Sequence, residues 1–239
     1  MNRLLLAALV GTLTLSACDS NDPDPVAIEA QVATDVAADP GVRDPNTGQV
    51  ASTGRYTLFD LDAGTVVLDY TETDRADSLG TAWDIGFNGT SIIVNGGPGR
   101  AGDAAAQVLG ENGTTPVAFE DLTEAPADGY RQDGTAECPA VQTPGGTFPG
   151  APLAVCSGSD NGWYTYVPFP TGGGYIVPTA GQPLVVRTTA GAYAKVQFVS
   201  YYQGNPVPAD IDETSAGRYY TFRYVVSEPG SRSFLTTER

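Results

Sequence analysis

The chain of 239 residues contains no histidine, and its single methionine and single lysine are Met1 and Lys195. The first absence removes the usual base of a Ser-His-Asp or Cys-His pair, and no G-x-S-x-G elbow is present either. The chemistry expected is binding, not catalysis. Basic residues are scarce as well: 12 Lys and Arg face 28 Asp and Glu, for a net charge of −16. A polyanion ligand needs clustered cations to release counterions, so nucleic acid is excluded as a partner. Anionic lipid headgroups repel the same surface, and no apolar run is long enough to cross a bilayer.

The one sustained apolar run follows Met1-Asn2-Arg3 and closes on Leu15-Ser16-Ala17-Cys18. A cation, a short apolar stretch and small residues before a cysteine make a bacterial lipobox, with 1–17 as the signal peptide. Cleavage before Cys18 and acylation of its sulfur and new amino terminus would tether the mature protein to a membrane.

That location decides how the remaining thiols are read. Cys138 and Cys156 are expected to pair in an oxidising compartment, and closing such a loop removes about 3 kcal/mol of unfolded-state entropy. From 18 to 54 the chain is rich in Asp, Pro, Ala, Val and Thr, which reads as a lipidated, disordered linker with a stretch at 27–38 that could form a transient helix. Residues 55–239 suffice for one domain.

That domain reads as all-β, built of antiparallel sheets. Short β-branched or aromatic runs at 56–61 and 65–70 flank Asp62-Ala63-Gly64, and runs at 83–87 and 91–94 flank Asn88-Gly89, a strong hairpin signal. Further strands are expected at 163–167, 184–188, 193–202 and 218–226. In the last, Tyr220, Phe222 and Tyr224 share one face and Tyr219, Thr221 and Arg223 the other. Only 104–109 reads as a helical turn or two.

Several local patterns carry little. Gly97-Pro98-Gly99-Arg100-Ala101-Gly102 matches a dinucleotide fingerprint but lacks the crossover helix, so it reads as a strand connection. Carboxylates such as Asp60/Asp62 and the run Ser159-Asp160-Asn161-Gly162 offer hard oxygens without calcium-loop spacing, and Asx turns are the simpler role. The tyrosines are more telling, since nine of twelve lie between Tyr164 and Tyr224. Core packing uses such residues, and so does a site for a flat apolar ligand.

The blocks at 56–64, 83–88, 187–195 and 219–224 together resemble the HmuY family of haem-binding lipoproteins. Tyr56-Thr57-Leu58-Phe59-Asp60-Leu61-Asp62-Ala63-Gly64 is similar to its opening hairpin, and Trp83-Asp84-Ile85-Gly86-Phe87-Asn88 to its Trp-Asp-Ile-Ala-Phe block. Arg187-Thr188-Thr189-Ala190-Gly191-Ala192-Tyr193-Ala194-Lys195 resembles its Arg-Thr-x-x-Gly-x-Tyr-Ala-Lys signature, and Tyr219-Tyr220-Thr221-Phe222-Arg223-Tyr224 its closing strand. The resemblance implies an all-β lipoprotein at the outer membrane, facing the cell surface or the periplasm, that captures haem and passes it to a TonB-dependent receptor. It also implies an axial pair of histidines or methionines, which this mature chain cannot supply. Tyrosine is the remaining side chain suited to ferric haem, and Tyr164, Tyr166 and Tyr175 fall in the region where the family builds part of its pocket. Arg187, Arg223 and Lys195, the last expected at a polar-facing strand position, are the cations that could meet the haem propionates. The alternatives are the same fold holding a non-haem hydrophobic ligand, and a structural or adhesive surface lipoprotein.

Overall fold

The computed structural model describes residues 24–41, 50–111, 114–135, 137–143 and 146–236. The lipobox and Cys18 lie outside the described residues. The strands are β1 (Val26–Ala27), β2 (Gln31–Ala37), β3 (Thr57–Asp60), β4 (Thr65–Leu68), β5 (Ile85–Asn88), β6 (Ser91–Val94), β7 (Ala105–Val108) and β8 (Val141–Thr143). They continue with β9 (Gly146–Phe148), β10 (Tyr164–Pro168), β11 (Gly174–Pro178), β12 (Leu184–Arg187), β13 (Tyr193–Tyr202), β14 (Gly217–Val226) and β15 (Leu235–Thr236). Two 3-10 turns, Ala76–Leu79 and Pro208–Asp210, are the helical elements among the described residues.

Two antiparallel sheets face each other. One has the order β2-β14-β13-β12-β7 and the other β4-β3-β5-β6. Period-two alternation sends Leu184, Val186, Ala194, Val196, Phe198, Tyr220, Phe222 and Tyr224 inward from the first sheet, against Phe59, Ile85, Phe87, Ile92 and Val94 from the second. The core is aromatic at its centre: Phe87 lies 4.6 Å from Tyr220 and 5.7 Å from Phe222 between ring centroids. Alternate residues Val185 and Val225 point to the outer face, where Phe119, Leu122 and Phe234 cover them.

The expected hairpins form about their turns, and the strands at 91–94 and 193–202 have the expected limits. Two expectations are corrected. Ala105–Val108 is not helical but pairs with Arg187–Leu184 of β12. Alanine's helix propensity is worth only tenths of a kcal/mol per residue, and a vacant sheet edge outweighs it.

The second correction concerns the linker, because Gln31–Ala37 forms the edge strand beside β14. Val36 and Ala38 are buried there. The alternation is broken in sequence because Asp35 takes φ +53°, and Thr34 and Asp35 together stand opposite the single residue Thr221. This bulge returns Val36 to the core side. The stretch is neither linker nor transient helix.

The expected disulfide is present, joining Cys138 and Cys156 with Cα atoms 5.4 Å apart.

Candidate ligand-binding cleft

Hairpin β10–β11 packs beside the end of the larger sheet. Its turn brings the Phe169 N–H to the Gly173 carbonyl at 3.1 Å, with Gly172 and Gly173 at φ +100° and +74°, a conformation that only glycine adopts without strain. The hairpin is tied down by the Ile176 N–H, which donates to the Tyr202 hydroxyl at 3.0 Å. Tyr166 folds its ring over Gly174: a Cβ at that glycine would lie 2.5 Å from the Tyr166 Cζ.

Between this hairpin and the β13–β14 connection opens a cleft of about 900 Å³. Tyr166, Phe169, Ile176, Tyr201, Tyr202 and Tyr219 form its walls, and Thr171, Asp212, Glu213 and Arg218 its polar rim. The Thr171 hydroxyl donates to Glu213 Oε1 at 2.7 Å, linking the hairpin tip to the facing loop. Arg218 has φ +67°, and its Nη1 donates to the Asp39 carbonyl at 2.9 Å. Asp39 itself is buried and supports the cleft from behind. Burial pushes its carboxyl up, but hydrogen bonds from Ser52, Thr53, Gly54 and Asn88 outweigh that and hold it below the usual aspartate range.

The three tyrosines singled out in the sequence separate. Tyr166 lines the cleft and is 45% exposed. Tyr164 is buried in the core, where its hydroxyl accepts the Gly158 N–H at 2.9 Å. Tyr175 packs on Phe169, with centroids 5.2 Å apart, and abuts the core. Tyr201 and Tyr219 join Tyr166 from the other wall; their membership was hidden because a strand's alternation does not say which of its ends a neighbouring hairpin leaves open. Burial drives the Tyr201 phenol well above its ordinary pKa, so it stays protonated.

The cations also redistribute. Lys195 is not polar-facing: it is 4% exposed, and its Nζ donates to the carbonyls of Phe119 and Leu122 at 2.8 and 2.9 Å. The loop at 117–125 and Phe234 cover the strand face that alternation assigns to solvent. Arg187 pairs with Asp103 at 2.9 Å and Arg223 with Glu120 at 2.6 Å. None of these three lines the cleft; Arg218 does.

Carboxylates of Asp60, Asp62 and Asp84 lie within 4.8 Å of one another. Asp84 accepts the N–H groups of Leu61 and Thr189 at 2.9 and 2.7 Å, which makes it a brace between two turns. Asp160 likewise serves its own turn, accepting the Thr165 hydroxyl at 2.8 Å.

A sandwich of this topology, with its aromatic core and this ordered set of blocks, invites comparison with known families, and residues 52–224 match the HmuY protein family. The chain belongs to the HmuY family. No curated protein matches it. Among solved structures, this HmuY-family chain is similar to the apo HmuY analog of Tannerella forsythia, at 16% identity and TM-score 0.43 over 84% of this chain and 98% of that one. It is similar too to apo PinO from Porphyromonas gingivitis, at 17% identity and TM-score 0.41 over 85% and 100%.

The cleft is lined by polar and apolar surface in about equal measure. Its polar groups are phenols, aliphatic hydroxyls, the carboxylates of Asp212 and Glu213 and one guanidinium, with no imidazole or thioether.

Proposed function

We propose that this chain is a lipid-anchored HmuY-family protein of the outer membrane that captures haem or a related tetrapyrrole in the tyrosine-walled cleft. In this reading it yields the ligand to a TonB-dependent receptor and transforms nothing. The observation that carries it is the convergence of Tyr166, Tyr201, Tyr202 and Tyr219 on one cleft of about 900 Å³ in a chain of this family. Haem would bring a ferric iron that accepts a phenolate. Tyr166 is the exposed phenol able to offer one, Phe169 and Ile176 would exclude water from the ring faces, and Arg218 would meet a propionate.

Asp212 and Glu213 on the rim favour a second reading, since they repel propionates: the cleft then takes an uncharged hydrophobic ligand. A haemin titration of the Cys18→Ala protein decides between them. Saturable binding with a high-spin ferric spectrum and a phenolate charge-transfer band, lost in Tyr166→Phe, supports haem. No saturable Soret change in the parent protein moves the assignment to the non-haem ligand.

A further inference from the structure

We propose that the anchor fixes which end of the sandwich faces the bilayer, and that the aromatic cleft opens at the end turned away from it. The proposal rests on the reading of Cys18 as the lipidated residue. The chain enters the fold at Val26–Ala27, paired with Leu235–Thr236, and the Ile28 N–H donates to the Phe234 carbonyl at 3.0 Å. Ile28 packs on the outer-face cluster that contains Val225 and Phe234. Strand β2 then runs from Gln31, opposite Tyr224, to Ala37, opposite Tyr219. The anchored end of the fold is thus the Val226 end of β14, whereas the cleft sits at its Gly217–Tyr219 end.

Magnitudes decide the orientation. Gly217 to Val226 spans about 30 Å at the rise of a strand. Seven residues, 19–25, separate Cys18 from Val26. Bringing the cleft to the bilayer would require the segment to be drawn out to its full covalent length, roughly 25 Å, back along the body. Charge acts in the same direction, since Asp212 and Glu213 on the cleft rim are repelled by anionic headgroups and keep that end from settling on the surface. A partner that collects ligand from the cleft therefore meets the protein at its distal end.

The test uses the full lipidated chain in vesicles of phosphatidylethanolamine and phosphatidylglycerol that carry a rhodamine-headgroup lipid. A donor dye is placed on Glu228→Cys, beside the anchored end, or on Val207→Cys in the β13–β14 connection; both positions are exposed, and labelling without reductant spares the disulfide. Energy transfer at least twofold stronger from position 228 than from 207 is expected. Equal transfer, or stronger transfer from 207, in protein that floats with the vesicles overturns the orientation. Protein that fails to float overturns the anchor itself and the orientation with it, and Cys18→Ala gives the baseline for that outcome.

Discussion

Lys195 lies beneath the ring of Phe119, its Nζ 4.4 Å from the ring centroid, and donates to the carbonyl of that same residue. One side chain thereby fastens the loop at 117–125 to the outer face of the larger sheet. Burial pulls the Lys195 pKa down, while Glu120 pulls it back up.

Lys195 is the only lysine, which makes its burial measurable. An amine-acylating reagent should leave it unmodified in the folded protein and modify it at once in guanidinium, as read by intact mass. Lys195→Ala strands two carbonyls and a cavity, and should cost roughly 2–4 kcal/mol in denaturant unfolding. Rapid labelling of the native protein would show that the loop does not cover it.

Removal of Cys138–Cys156 should lower stability by about 3 kcal/mol, measured as the shift in unfolding midpoint of the Cys138→Ser, Cys156→Ser double variant. Alkylation without reductant should label neither residue.

Tyr220 and Tyr201 predict loss of stability at alkaline pH. Burial raises both phenols above the ordinary value of 10.0, so in the folded state they remain protonated where the unfolded chain ionises. Their contribution is complete below pH 10 and falls as pH rises beyond it. Unfolding midpoints measured from pH 8 to 11 should decline across the upper part of that range, and less steeply in Tyr201→Phe.

Val36→Asp tests the edge strand at Gln31–Ala37. An unpaired carboxylate facing Tyr220 and Phe222 should cost at least about 2 kcal/mol, whereas Val32→Asp, at a site 63% exposed, should be nearly neutral. Equal effects would return the segment to a linker.

Cys18→Ala should abolish acylation and release the protein to the aqueous phase of a detergent partition.

Local chemistry was legible wherever it is self-contained. Asn88-Gly89 marks a tight turn whatever surrounds it, and alternation in Tyr220, Phe222 and Tyr224 marks an inward face. Asp35 hid a strand because its bulge shifts the alternation by one, and Ala105–Val108 was hidden because alanine is at home in either structure until a partner strand is present. For the site, aromatic enrichment between Tyr164 and Tyr224 pointed to the right part of the chain, but three tyrosines of similar sequence context took three different environments.

By itself, the sequence determined what this protein lacks and where its strands turn: no histidine for catalysis, no cation cluster for a polyanion, and glycines and asparagines that only certain turns accept. Tertiary structure alone decided that Lys195 is buried while Tyr166 is open, because burial depends on which loop crosses a strand face, and that contact joins residues as far apart as Phe119 and Lys195. The cleft is likewise a product of assembly, since a hairpin, a sheet end and the segment beside Asp39 meet there across most of the chain's length.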